Sequence, residues 1–266
     1  MFRPIIFVLL ANGLLSLIYC AKLPAHQISS VLDVDYDPEF AGGYLEGDII
    51  PDFIRNGFPG RKWPQNTLKY VFCDYFTDEQ KEIVRSCHRE ISNKTCVKFV
   101  ETVKSDFGYV CITNATTGCN AQVGYQGTET QKMNLSPACF NVPLKPCHEF
   151  IHALGFVHAH SAYNRDDFVK IIEANIIEGK ESAFEKKPNS KDCRVKYNTN
   201  SIMHYGPYAF SKNGKATITA LNGNNEGMGQ RTKITEGDFK KIRSMYCYNN
   251  CTVTTNTKAP TIFKLN

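Results

Sequence analysis

The alternation of apolar and polar residues divides the chain into an apolar N-terminal run, a polar segment and a long globular region. The apolar run covers residues 5–19, behind one positive charge at Arg3 and ahead of the small residue Ala21. This order is typical of a secretory signal peptide. A membrane anchor is the less favoured alternative, because the run is shorter than the roughly 20 residues of a spanning helix. We therefore expect a signal peptide over residues 1–20, a secreted, extracellular protein and no membrane span.

Residues 21–55 are polar and have no regular period, which favours a linker or a pro-segment. The periodic patterns begin after them. Residues 68–76, 97–103 and 109–113 are rich in Tyr, Val, Ile and Phe and predict three strands. Residues 119–135 contain Gly and Thr and predict an edge strand or loops.

Three segments carry helix signals. Thr77 and Gln80 form a possible capping box before apolar residues with a 3.6-residue period, at Ile83, Val84, Cys87 and Ile91. A second helix is predicted from about Pro146 to the residue before Gly155, and a third begins at Thr235. The chain thus carries both strand and helix signals, and we expect a mixed α and β fold.

Charge and cysteine content narrow the class of protein. The net charge of +5 comes from basic residues scattered along the chain, so nucleic acid is not an expected partner. Ten of the eleven cysteines follow Cys20, which in an oxidising compartment implies up to five disulfides of open connectivity. Glycosylation sequons at Asn93, Asn114 and Asn250 agree with export and predict a glycoprotein.

The strongest chemical signal is the sequence HEFIHALGFVH at residues 148–158. His148 and His152 are four residues apart, so they share one face of a helix and can reach one metal ion. Gly155 permits a left-handed turn that returns the chain and presents His158 as a third ligand. Three neutral nitrogens with an open fourth position indicate a catalytic site for one Zn²⁺ ion. Glu149 would take a proton from the zinc-bound water and pass it to the leaving amine.

Two alternatives concern this motif. The histidines could be incidental, but the combined spacing with Gly155 and His158 makes chance occurrence far less common than for HExxH alone. Cys147 could be a fourth protein ligand that blocks the site. Adjacent helix residues point about 100° apart, so that arrangement is disfavoured.

A second motif follows further along the chain. Met203 alone would be read as core packing, but its position after the histidines fits the turn that lies beneath the metal in metzincins. The motif reads Ser201-Ile202-Met203-His204-Tyr205-Gly206. Together with the histidine motif, it makes the chain resemble the astacin family over roughly residues 56–250. Further residues that carry the resemblance are His160, Arg165, Asp166, Tyr197 and Gly229-Gln230-Arg231.

The resemblance implies a fold and an activity. The fold would be α+β, a two-lobed zinc protease domain with a twisted mixed sheet, an active-site helix and a Met-turn. The activity would be that of a monomeric zinc metalloendopeptidase acting on proteins or peptides. The implied domains are a signal peptide at 1–20, a pro-segment at 21–55, a catalytic domain at 56–251 and a tail at 252–266.

The resemblance also implies roles for particular residues. Tyr205 would ligate zinc in the resting enzyme and then swing to hydrogen-bond the oxyanion. Asp48, in the sequence Leu45-Glu46-Gly47-Asp48-Ile49, would bind zinc in place of water and keep the zymogen silent until a trypsin-like protease cuts at Arg55-Asn56. Arg231 would favour acidic side chains just after the cut. Two family disulfides match, Cys96 with Cys247 and Cys119 with Cys139.

The match has gaps around the third histidine. Ala159 replaces a family Glu that holds the buried amino terminus of the mature enzyme. Either that terminus stays in solvent or another carboxylate, such as Asp166 or Asp167, serves instead. The departure leaves a rival interpretation, a zinc-bearing binding protein of the same fold with impaired catalysis. A disulfide-rich structural protein without metal is a third alternative.

Overall fold

The computed structural model describes residues 40, 43–51, 61–104, 106–142, 144–187, 193–249 and 251. The predicted signal peptide, the Arg55-Asn56 cut and the tail lie outside the described residues. Among the described helices, none combines the length and the apolar character needed to cross a bilayer.

A six-stranded mixed sheet forms the larger part of the fold, in the spatial order β1-β5-β6-β4-β2-β3. All neighbouring strands are parallel except the antiparallel pair β5 and β6. Its strands are β1 (Ile49–Ile50), β2 (Thr67–Phe72), β3 (Lys98–Glu101), β4 (Tyr109–Thr113), β5 (Cys119–Gln122) and β6 (Thr130–Leu135). A second sheet pairs β7 (Val169–Ile171) with β8 (Ile218–Ala220) in the antiparallel sense.

The described residues form three α-helices beside the sheets: α1 (Asp78–Lys94), α2 (Lys145–Ala153) and α3 (Glu236–Tyr246). The capping box predicted for α1 is present, since Gln80 N–H donates to Thr77 Oγ1 and Thr77 N–H donates to Gln80 Oε1. Short 3₁₀ turns lie at Pro64–Asn66, Pro137–Asn141, Ala159–Ser161, Arg165–Asp167, Glu173–Asn175 and Glu181–Phe184. The mixed α+β fold expected from the sequence is therefore confirmed.

Two hydrophobic cores hold these elements together. The larger one packs α1 and α2 against the sheet and includes Leu68, Ile91 and Leu154. The smaller one surrounds Tyr205 and includes Val169 and Ile218 of the second sheet. Tyr205 and α2 thus belong to different cores, and the Met-turn connects them.

The prediction for residues 119–135 is partly wrong. These residues form the hairpin of β5 and β6, and β6 is an interior strand between β5 and β4. Its polar side chains obscured this, but they are satisfied inside the fold. Gln131 accepts a hydrogen bond from Gln126 N at 3.1 Å, and Asn134 accepts one from Ala115 N at 2.7 Å.

Ten cysteines of the described chain form five disulfides. They are Cys73–Cys111, Cys87–Cys147, Cys96–Cys247, Cys119–Cys139 and Cys193–Cys251. The pairs Cys96–Cys247 and Cys119–Cys139 are those that the family resemblance implies, and the other three could not be assigned from the sequence. Because Cys147 is bonded to Cys87, the alternative of Cys147 as a blocking metal ligand is excluded.

Candidate metal centre

Helix α2 and the turn after it bring three imidazoles together. His148 and His152 lie one helical turn apart on α2, and their Nε2 atoms are 3.0 Å from each other. Gly155 ends the helix with φ = 106°, a left-handed conformation in which a side chain would be strained. The chain then turns back, and Nε2 of His158 lies 3.2 Å from Nε2 of His148.

Asp48 completes this cluster from the N-terminal side of the chain. Its Oδ2 lies 3.1 Å from Nε2 of both His148 and His158, and 3.6 Å from Nε2 of His152. A tetrahedral site with zinc–ligand bonds of about 2.0–2.1 Å has edges of about 3.3–3.4 Å between ligand atoms. The measured separations bracket that value, so three imidazoles and one carboxylate fit a single zinc ion.

Each histidine is oriented by an acceptor on its Nδ1 atom. His148 Nδ1 donates to the carbonyl of Ile202 at 2.8 Å, and His152 Nδ1 donates to that of Phe156 at 2.7 Å. His158 Nδ1 donates to Oε2 of Glu46 at 2.7 Å. Donation from Nδ1 leaves the lone pair on Nε2, which is the state a metal ligand needs.

Burial and charge act against each other at this cluster, where the side chains of all four residues are inaccessible to solvent. Burial would raise the pKa of Asp48, but in the metal-free protein the charges of His158 and His152, with hydrogen bonds from protonated Nε2 atoms of His148 and His152, hold it well below its ordinary value. Burial lowers the pKa of His158, whereas Asp48 and Glu46 outweigh it and raise that pKa to about 9 in the metal-free protein. The Asp48 carboxylate is therefore ionised and competent as a ligand.

The Met-turn is fixed from below by α3. Asp238, in the first turn of α3, accepts hydrogen bonds from the Ser201 hydroxyl and from Ile202 N–H. It also caps the helix by accepting from Thr235 N–H at 2.9 Å. The carbonyl of Met203 in turn accepts from Ala159 N–H at 2.7 Å. The sequence marked Met203 but gave no signal for Asp238 beyond helix capping.

The two predicted catalytic side chains lie beside the histidines. Glu149 is fully buried on α2. Tyr205 is also fully buried, its ring centroid is 4.6 Å from that of His158, and its hydroxyl donates to the carbonyl of Glu46. A neutral His160 stacks on Tyr205 at 3.8 Å between centroids, and burial holds the His160 pKa well below its usual range. Here the Tyr205 hydroxyl is occupied by the carbonyl of Glu46, so its ligation of the metal stays a prediction for a form from which the segment containing Glu46 has been removed.

The remaining predicted residues have other partners. Asp166 pairs with Arg165 and with Lys186, and Asp167 is exposed. Arg231 donates to the carbonyls of His204 and Gln230, each at 3.1 Å. Ala159 lines a cavity of about 40 Å³ with Met203, Asp238 and Lys241, among other residues. The use of Asp166 or Asp167 for a new amino terminus stays a prediction, as does the specificity role of Arg231.

Two residues of this centre had no sequence signal of their own. Glu46 stands in the inhibitory motif at a position to which no role was assigned, yet it is buried against His158. Lys187 is far from every motif, and its Nζ lies 3.2 Å from Oε1 of Glu46. Only the folded chain brings them together.

Comparisons with known proteins agree with this geometry. The model of the peptidase family Astacin matches residues 56–247. Zinc metalloproteinase nas-4 of Caenorhabditis elegans is 33% identical over 235 residues, which cover 83% of this chain and 73% of that protein. Seminal metalloprotease 1 of Drosophila melanogaster is 37% identical over 226 residues, which cover 79% of this chain and 89% of that protein.

Other relatives are longer or are known as structures. Zinc metalloproteinase nas-14 of Caenorhabditis elegans is 37% identical over 71% of this chain, but the match spans only 38% of its own length. The solved structure of high choriolytic enzyme 1, a hatching enzyme zinc-protease from Oryzias latipes, has a TM-score of 0.65 and 26% identity. The match covers 74% of this chain and 98% of that one. With a family match over most of its length and a three-histidine centre of the expected geometry, this chain belongs to the astacin family of zinc metalloendopeptidases.

Proposed function

We propose that this protein is a secreted zinc endopeptidase that is made as a zymogen and hydrolyses peptide bonds in proteins or peptides. One observation carries the proposal. Oδ2 of Asp48 lies within 3.1–3.6 Å of the Nε2 atoms of all three histidines, at the fourth corner of the metal site. A carboxylate from the N-terminal segment at that corner excludes water from the metal, which is how a latent form would be silenced.

The proposed processing follows from the position of this segment. Residues 1–20 would be removed on export, and residues 21–55 would be removed by a trypsin-like protease at Arg55-Asn56. β1 of the segment pairs with β5, so its loss would free that sheet edge for an extended peptide. The catalytic domain would then be residues 56–251, followed by a tail at 252–266.

The proposed chemistry uses two side chains around the histidines. A zinc ion held by His148, His152 and His158 would supply Lewis-acid polarisation of a peptide carbonyl and acidify a water molecule. Glu149, adjacent to His148, would accept the proton from that water and deliver it to the leaving amine. The Tyr205 hydroxyl, released from Glu46, would donate a hydrogen bond to the oxyanion.

A cleavage assay tests the proposal. The purified full chain is incubated with a fluorogenic peptide before and after trypsin treatment, beside Glu149→Gln and the exposed control Glu173→Gln. We expect no cleavage before trypsin and cleavage after it. We expect Glu149→Gln to lose about 10²- to 10⁴-fold in kcat, the usual contribution of a general base, and Glu173→Gln to match the wild type.

The rival interpretation, a zinc-bearing binding protein with impaired catalysis, makes the opposite prediction. It expects zinc in elemental analysis but equal residual cleavage by wild type and Glu149→Gln after processing. Sequencing of the processed amino terminus locates the cut in the same sample. A processed chain that begins far from residue 56 would contradict the proposed boundary.

A further inference from the structure

A buried carboxylate beside the metal centre is not explained by the zymogen contact of Asp48. The side chain of Glu46 is fully inaccessible to solvent and belongs to the same segment as Asp48. A buried carboxylate is costly unless it is paired and hydrogen-bonded. Its environment therefore contains groups that compensate its charge.

Two groups from other parts of the chain meet Glu46. Nδ1 of His158 donates to Oε2 at 2.7 Å, and Nζ of Lys187 lies 3.2 Å from Oε1. The lysine contact has the distance of an ion pair, although its direction departs from that of a hydrogen bond. One oxygen thus faces a ring donor and the other faces an ammonium group.

The backbone holds this pocket in place on both sides. Lys187 N–H donates to the carbonyl of Ser161 at 2.7 Å, which fixes Lys187 next to the turn that follows His158. On the other side, the carbonyl of Glu46 accepts from the Tyr205 hydroxyl. Glu46 also has φ = 52°, a left-handed conformation that a glutamate adopts only when its surroundings impose it.

We propose that Lys187 and Nδ1 of His158 form a carboxylate pocket that binds Glu46 and acts as a second anchor for residues 43–51, beside Asp48. The pocket recognises a carboxylate because a neutral side chain would leave a partly buried ammonium group without a counter-charge. Its ligand is the chain's own Glu46. The inference rests on the proposed zymogen, since it explains how the segment stays over the metal.

Hydrogen exchange of the zinc-loaded full chain tests the pocket without any catalytic step. The amides of Gly47 and Ile49 report on the segment, because they donate to the carbonyls of Tyr44 and Leu45. We expect Glu46→Gln and Lys187→Met each to speed their exchange by about 10- to 100-fold, the loss expected for one charge-assisted contact. Amides of α3 serve as the internal reference for global folding.

Two comparisons decide the outcome. Lys186→Met is the matched control, since Lys186 is next to Lys187 in sequence but pairs with Asp166. In this variant the amides of Gly47 and Ile49 should exchange at the wild-type rate. In the double variant Glu46→Gln with Lys187→Met, the acceleration should be smaller than the product of the single effects, because both remove the same contact. Unchanged exchange in either single variant, or single effects that multiply fully, would overturn the pocket.

The exchange measurements and the cleavage assay together separate this inference from the proposed function. If the processed chain cleaves no peptide but the exchange results are as expected, the endopeptidase proposal fails and the pocket stands. If cleavage depends on Glu149 but the exchange of residues 43–51 is the same in Lys187→Met and the wild type, the endopeptidase proposal stands and the second anchor is wrong.

Discussion

At the scale of single residues, the metal centre depends on partners that never touch the metal. The Nδ1 atoms of the three histidines donate to the carbonyls of Ile202 and Phe156 and to the carboxylate of Glu46. Ile202 is held in turn by Asp238. A ligand can therefore be displaced by a change one or two contacts away.

Asp238 is the clearest case. Asp238→Ala removes the carboxylate that accepts hydrogen bonds from Ser201 and Ile202 of the Met-turn and from Thr235 at the start of α3. Because buried donors would be left unpaired, we expect the free energy of unfolding to fall by about 3 kcal/mol. We expect zinc affinity to fall by about 10- to 100-fold, measured by competition with a chromophoric chelator. The exposed Asp167→Ala should change neither quantity; equal zinc affinities in both variants would contradict the prediction.

His88 makes stability depend on pH. It is buried between the rings of Tyr70, Phe99 and Phe150, with centroids 4.2–4.5 Å away. Burial, with Arg85 and Arg89 nearby, lowers its pKa to about 3. Below about pH 6.5 His88 binds a proton in the unfolded chain but not in the folded chain. The free energy of unfolding should therefore fall as the pH drops from about 6.5 to 3, by up to about 1.4 kcal/mol per pH unit.

His88→Phe should keep the ring packing and remove this dependence. Denaturant unfolding of both proteins at several pH values between 4 and 7.5 measures it. Because all other titrating groups are shared, the difference between the two curves reports on position 88. Parallel curves across that range would mean that the site does not hold His88 neutral.

At the scale of elements, the sequence predicted what depends on local signals. The strand at Tyr109–Thr113 and the caps of α1 and α3 were predictable because alternation and capping residues act over a few positions. The interior position of β6 was not, since Gln131 and Asn134 find partners only in the folded hairpin. The three histidines were predictable from spacing, whereas Lys187 reaches the site only through tertiary folding.

The turn at Gly229 packs directly on the Met-turn. A Cβ atom there would lie 2.3 Å from Cα and 2.5 Å from N of Gly206, and 3.3 Å from the carbonyl carbon of Tyr205. Gly229→Ala must therefore move backbone next to Tyr205. We expect a loss of more than about 2 kcal/mol in the free energy of unfolding, measured by denaturant titration.

Gly223→Ala is the matched control for this turn. Gly223 has a similar φ of 78°, against 79° at Gly229, but nothing lies within 4 Å of its Cβ position. It should show backbone strain alone, about 1–2 kcal/mol. Processed Gly229→Ala should also lose peptide cleavage, and processed Gly223→Ala should keep it. Similar stability and activity in the two variants would show that the close approach is not maintained in solution.

At the scale of the whole molecule, the metal centre joins parts of the chain that are distant in sequence. Asp48 comes from the N-terminal segment, the histidines from α2 and its following turn, and Ile202 from the Met-turn anchored on α3. The spacing of the histidines predicted their convergence, and the family resemblance implied the places of Asp48 and the Met-turn, but the anchoring of Ile202 by Asp238 was not predicted. The contacts of Glu46 with His158 and Lys187 were not predicted, since the motif around Asp48 assigned no role to Glu46 and its partners meet it only in the folded chain.

Because the metal binds only where these parts meet, its removal should weaken the whole fold. At zinc concentrations about 1,000-fold above Kd, binding adds about 4 kcal/mol to the folded state. For a chain of this size we expect a chelator to lower Tm by about 10 °C. Added Zn²⁺ should restore Tm, whereas Mg²⁺ should not, because it prefers oxygen ligands in octahedral geometry. The variant His148→Ala provides the control: its Tm should already be lower and insensitive to chelator. If wild-type Tm were equally insensitive, with zinc demonstrably removed, Asp48 and the histidines would be held in place by the fold alone.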